Sequence, residues 1–164
     1  MRHFLNSFFR GQNNGRLPDV GSHTHAAILG MEIRIGNSSD YVIIKDIGPE
    51  YGSRDCEFLQ GTIQLHMREI SSNIGATFML REFRQFQADL NTLYETLKYS
   101  FHFRNLEDNI DLTFTPTPNG QIIIKGILRN SQYTGSIDFE METDQSYLPQ
   151  TIDILRDMFD EIKL

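Results

Sequence analysis

Residues 75–97 read GATFMLREFRQFQADLNTLYETL. Within this stretch the apolar period changes. Ala76, Phe78 and Leu80 recur every second residue, which is the spacing of one face of a strand. Phe83, Phe86, Leu90, Leu93 and Leu97 then recur at three- and four-residue steps, with Arg84, Gln87, Asp89, Asn91 and Glu95 on the other side. That spacing predicts an amphipathic helix over 82–98. Its aromatic stripe is read as core.

Working outward, the same two-residue alternation fills both flanks. Before the helix, Met31, Ile33 and Ile35 alternate with Glu32 and Arg34, and Tyr41–Lys45 follows the turn Asn37-Ser38-Ser39-Asp40. In the long alternation over 57–70, Ile63, Leu65 and Met67 share one face. After the helix, Phe101 and Phe103 mark one strand, and Ile110, Leu112 and Phe114 the next. Asn119-Gly120 is a hairpin signal. Ile122, Ile124 and Leu128 share a face, and Ile137, Phe139 and Met141 align beyond the turn Asn130–Gly135. The chain closes on a second helix over 148–162, striped by Leu148, Ile152, Leu155, Phe159 and Ile162. Asp144 or Ser146 is placed to cap it, and Pro149 suits a first turn.

Strands, helix, strands, helix is not a βαβ alternation, and polar residues fill the second face of each strand. Both point to antiparallel pairing. The expected fold is α+β, a single antiparallel sheet of about six to eight strands with two amphipathic helices. Residues 31–164 are expected to form one domain. Residues 1–30 lack periodicity and are rich in turn signals, such as Gly11-Gln12-Asn13-Asn14-Gly15, so a flexible arm or leader is expected there.

Charge and composition narrow the functions. The chain of 164 residues carries −7. Residues 1–30 hold Arg2, Arg10 and Arg16 against Asp19, so residues 31–164 carry −9. Such a body repels phosphate backbones and attracts basic proteins, so a protein partner is expected and nucleic acid is not. Cys56 is the single cysteine. It rules out an internal disulfide framework and favours a reducing, cytoplasmic setting. Its neighbours Asp55 and Glu57 disfavour a thiolate, so it is read as a structural thiol. No apolar run is long enough to span a membrane, and Met1–Arg10 does not read as a secretory signal.

The pair His23-Thr24-His25 resembles a metal-ligating pair. Zinc needs a further ligand and a second shell, and barrels that use such a pair run to about 250 residues. No metal and no cofactor are expected. The phosphate-cradling loop, the nucleophile elbow and the Cys-x-x-Cys pair are all missing from the sequence, so no catalytic role is expected.

Charge placement is more informative. Asp138, Glu140 and Glu142 alternate with Ile137, Phe139 and Met141, which puts three carboxylates on one strand face. A hairpin that sets Ile122 and Ile124 against Met141 and Phe139 brings Gln121, Ile123 and Lys125 opposite Glu142, Glu140 and Asp138. Glu107, Asp108, Asp111 and Asp144 add to the acidic surface. Ile123 and Ile127 fall on the same face as the acids. Either a helix covers them, or they form an apolar centre with an acidic rim, as an interface requires.

Three stretches carry a family resemblance: the helix Glu82–Leu97, the hairpin Asn119–Leu128, and the close Ile137–Leu148, ending Thr143-Asp144-Gln145-Ser146-Tyr147-Leu148. Together they resemble the WapI-like immunity proteins of bacterial contact-dependent toxin systems, over about residues 31–164. The resemblance implies a protein that neutralises the toxic C-terminal domain of a polymorphic toxin in the producing or kin cell. Such toxin domains are often nucleases and therefore basic. Interface residues vary between members, so no site carries over. The expected partner surface is therefore Asp138, Glu140, Glu142, Asp144, Glu107, Asp108, Asp111, Ile123 and Ile127. A binding module or assembly subunit without a toxin partner is the alternative, and an enzyme using His23 and His25 is a third. The sequence leaves the toxin and the oligomeric state open.

Overall fold

A computed structural model describes residues 31–49 and 57–162. The expected arm over 1–30, with His23 and His25, and the thiol of Cys56 lie outside the described residues. Eight strands and two helices follow in the expected order. They are β1 (Glu32–Gly36), β2 (Tyr41–Pro49), β3 (Phe58–Met67), β4 (Ile70–Met79), α1 (Leu80–Thr96), β5 (Phe101–Arg104), β6 (Ile110–Pro116), β7 (Gln121–Arg129), β8 (Ser136–Asp144) and α2 (Leu148–Ile162). A single 3-10 turn, Gln145–Tyr147, leads into α2.

The single sheet is corrected to two. Each is a four-stranded antiparallel meander, β1-β2-β3-β4 and β5-β6-β7-β8. Alternation reports which face of a strand is buried, not which sheet the strand joins. Short connections join β1 to β2, β3 to β4 and the successive strands β5 to β8, whereas α1 separates β4 from β5 and lets a new sheet begin. The long alternation over 57–70 is also broken. Met67 pairs with Ile70 across Arg68-Glu69, with Arg68 in the left-handed region at φ 50°.

Helix α1 begins two residues earlier than expected. The Glu82 carboxylate accepts the Met79 N–H at 2.9 Å, which satisfies one free donor of the first turn. Burial outweighs that bond and holds the Glu82 carboxyl above the ordinary glutamate range. The helix ends where Leu97 turns left-handed at φ 49°.

Both sheets and both helices share one apolar core. Phenylalanines run through it. Phe78 of β4 lies 5.0 Å from Phe83 of α1, and Phe83 lies 6.0 Å from Phe103 of β5. Phe86 stacks on Phe103 at 4.2 Å, and Phe101 stacks on Phe114 of β6 at 4.5 Å. Phe83, Phe86, Leu90, Leu93 and Leu155 are buried as expected. Phe159 packs only partly against the core and has the Arg84 guanidinium 5.9 Å from its ring.

Side chains sew the sheet edges together. At one seam, Asn37 Nδ2 donates to the Glu142 carbonyl at 2.6 Å, and Thr143 Oγ1 donates to the Gly36 carbonyl at 2.9 Å. At the other, Asn105 Nδ2 donates to the Thr77 carbonyl at 2.9 Å. Asn105 is 2% exposed. Its Oδ1 also accepts the Ile110 N–H at 3.1 Å. Buried polar groups left without partners cost about 1–3 kcal/mol. Asn105→Ala is therefore expected to lower unfolding free energy by at least that much in urea titration; a change below about 0.5 kcal/mol would contradict the seam.

Gly126 of β7 pairs with Phe139 of β8, whose ring covers it. A Cβ at Gly126 would lie 2.1 Å from Phe139 Cζ. Gly126→Ala should destabilise by about 1–3 kcal/mol through overpacking. In a Phe139→Ala background the same change should cost less than half as much. A double-mutant cycle measures the difference, and additive costs would show that the ring does not need the glycine.

Candidate functional site

The outer face of the second sheet gathers most of the expected residues, built row by row from the register. Asp138 lies opposite Ile127, Glu140 opposite Lys125, and Glu142 opposite Ile123. On the other side of β7, Ile127 faces Asp111, Lys125 faces Thr113, and Ile123 faces Thr115. Arg104 and His102 of β5 complete the rows opposite Asp111 and Thr113. This register differs by two residues from the expected one, in which Lys125 met Asp138. Arg129 instead pairs with Ser136 across a longer turn. The turn is tied by Asn130 Oδ1, which accepts the Thr134 N–H at 2.9 Å and the Gly135 N–H at 3.3 Å. A shift of two leaves every side chain on its expected face.

The face is open. Its apolar reverse meets the helices in the core, while Lys125, Asp138, Glu140 and Glu142 are exposed. Ile123 and Ile127 are half-buried among these neighbours. Lys125 Nζ lies 3.3 Å from Glu140 Oε2. So exposed a pair contributes little to stability. Asp138 and Glu142 have isoleucines opposite them instead of cations. A shallow groove of about 520 Å³ runs over this face, lined by His102, Asp111, Thr113, Lys125, Ile127 and Asp138 among others.

The remaining expected residues divide. Asp111 belongs to the face and is half-buried. Glu107 and Asp108 sit in the β5–β6 loop at its end. Asp108, at φ 54°, forms a two-pronged ion pair with Arg104. The hydrogen bond from Arg104 holds the Asp108 carboxyl below the ordinary aspartate range, with Arg129 adding to the effect. Glu107 Oε2 accepts the Thr77 N–H at 3.4 Å. Asp144 is occupied with its own chain. Its carboxylate caps the 3-10 turn by accepting the Ser146 hydroxyl and, at 2.8 Å, the Ser146 N–H. Those bonds hold its carboxyl below the ordinary range.

Exposed large apolar side chains were not expected, and the two most exposed among the described residues lie in loops at one end of this face. Leu106 is 59% exposed and Tyr133 is 60% exposed. The Tyr133 hydroxyl donates to the Glu107 carbonyl and joins the two loops. Neither residue takes part in an alternating run; a tyrosine within a turn stretch is the one signal that was available.

The outer face of the first sheet has a different character. Arg34, Ile43, Gln64 and Asn73 form one of its rows. The Arg34 guanidinium lies 3.6 Å over the Tyr41 ring, which stacks on His66 at 5.0 Å. Among the described residues, no group of three or more His, Cys, Asp or Glu could hold a metal ion, and no helix is long and apolar enough to cross a membrane.

Comparison with known proteins adds a family. No curated protein matches this chain. Two solved structures share a loose likeness. One is a chain from the crystal structures of trypanosoma bruciei MRP1/MRP2, 12% identical, with a TM-score of 0.43 over 77% of this chain and 80% of that one. The other is the plant transcriptional regulator PBF-2, 8% identical, with a TM-score of 0.48 over 80% of this chain and 89% of that one. Likeness at this level carries nothing about function. The family model described as the immunity protein WapI-like family matches residues 32–163. That match spans all eight strands and both helices, and the chain belongs to the WapI-like immunity protein family.

Proposed function

We propose that this protein binds and neutralises the toxic C-terminal domain of a cognate bacterial polymorphic toxin in the cytoplasm. The contact surface is the outer face of β5–β8. The toxin domain is basic, as a nuclease must be to hold a phosphate backbone, and the immunity protein blocks it by occupying that basic surface.

Family membership supports the class of activity. One observation carries the choice of surface. Four exposed carboxylates line β8: Asp144 is taken up by Ser146, only Glu140 of the other three has a cation opposite, and half-buried Ile123 and Ile127 lie beside them. An apolar centre with a charged rim is how protein interfaces are built. The excess negative charge repels nucleic acid and draws in a basic domain.

Charge at such a rim governs encounter more than final grip. Asp138→Asn, Glu140→Gln and Glu142→Gln together remove three charges from side chains that point away from the core, so the fold should persist. Association with the cognate toxin domain should slow about ten-fold or more at low ionic strength. The difference should shrink towards about 0.5 M salt as screening shortens the reach of each charge. Stopped-flow mixing across a salt series measures both rates. Equal rates at every salt concentration would place the contact on another surface.

A further inference from the structure

Leu106 and Tyr133 are the two most exposed large apolar side chains among the described residues. They sit on two loops at the same end of the acidic face, and the Tyr133 hydroxyl ties those loops together by donating to the carbonyl of Glu107, the residue after Leu106. Both loops are fixed. Buried Asn105 and Asn109 brace the β5–β6 loop through the Ile110 N–H and the Arg129 carbonyl. Asn130 braces the β7–β8 turn. Tyr133 itself is held at φ 55°, a region that disfavours a bulky side chain. With its hydroxyl bonded to the Glu107 carbonyl, the ring is held in place before any partner arrives.

Resting on the function proposed above, we propose that Tyr133 and Leu106 are the apolar anchor that holds the toxin domain. A tyrosine with a polar tip and an apolar body is a typical centre of binding energy. Preorganisation lowers the entropy lost when such a side chain is immobilised. The surroundings select the occupant. Glu107 and Asp108 lie in the β5–β6 loop itself, and Asp111 and Asp138 lie on the adjoining strands, against the cations Arg104 and Arg129 at this end of the sheet. A second copy of this chain would bring the same excess charge against itself, and an anionic lipid surface would be repelled in the same way. A basic protein domain with an apolar socket meets both the ring and its rim. The acidic strip then speeds encounter, while the anchor sets how long the complex lasts.

Dissociation of the toxin domain from immobilised protein tests the anchor. Tyr133→Ala should raise the dissociation rate about 30-fold, and Leu106→Ser about ten-fold, with little dependence on salt. Tyr133→Phe keeps the ring and removes its tie to Glu107, so a rise of only a few-fold is expected. Thermal melts should match the wild type for Leu106→Ser, which removes no hydrogen bond. Wild-type dissociation for both Tyr133→Ala and Leu106→Ser, with slowed association of the charge-neutralised strand, would overturn the anchor and leave the acidic face as the contact. Failure of the wild type to bind the toxin domain at all would overturn the proposed function and the anchor with it. A wild-type dimer in sedimentation that Tyr133→Ala converts to monomer would give the patch to a second copy and overturn the toxin as occupant.

Discussion

The run of phenylalanine rings from Phe78 through Phe83, Phe103 and Phe86 to Phe101 and Phe114 is the contact on which the rest depends. It joins the last strand of one sheet, helix α1 and the first two strands of the other into one apolar body. Large aromatic side chains dominate core energetics through the area they remove from water. Because α1 carries Phe83 and Phe86, it must lie on the inner side of both sheets. The inner face of the second sheet is then committed to the core, and the two-residue period of each strand sends the alternate residues outward. The acidic outer face is a consequence of where the phenylalanines point.

Two sheets instead of one create four edge strands, and an open edge invites pairing with other chains. Here the edges are tied by side chains. Asn37 and Thr143 join β1 to β8, and Asn105 joins β4 to the loop after β5. The seams also position the candidate contact surface. Glu142 points outward while its carbonyl is held by Asn37, so the acidic strip is fixed from behind by the other sheet. Glu107 and Leu106 sit between Asn105 and Asn109, both buried. Residues that hold the halves together therefore also brace the loop that carries Leu106, Glu107 and Asp108.

Much of this was legible in the sequence because period and face are local properties. Two helices and six to eight strands follow from alternation and from three- and four-residue steps, and the face occupied by Asp138, Glu140 and Glu142 follows with them; the break at Arg68-Glu69 within 57–70 does not. What failed was nonlocal. Alternation in Gly75–Leu80 and in Phe101–Phe103 cannot say whether β4 and β5 pair, and they do not. The β7–β8 register depends on how far the turn at Asn130 extends. That is set by side-chain bonds to Thr134 and Gly135, not by hydrophobicity. Asp144 looked like part of an acidic surface and also like a cap of α2; its bonds to Ser146 make it the cap of the 3-10 turn Gln145–Tyr147 that precedes α2 instead. Leu106 and Tyr133 left no pattern, because an exposed apolar residue in a loop has no neighbours to alternate with.

The central claim is that the partner binds the outer face of β5–β8 and not the outer face of β1–β4. Isoleucines mark both faces: half-buried Ile123 and Ile127 lie on the first, and Ile43, only 9% exposed but in the row with Arg34 and Gln64, lies on the second. Methyl-labelled isoleucine spectra of the protein, recorded with and without the toxin domain, read all three at once. Shifts or broadening at Ile123 and Ile127, with Ile43 unmoved, are the predicted result. Movement at Ile43 with Ile123 and Ile127 unchanged would contradict the account.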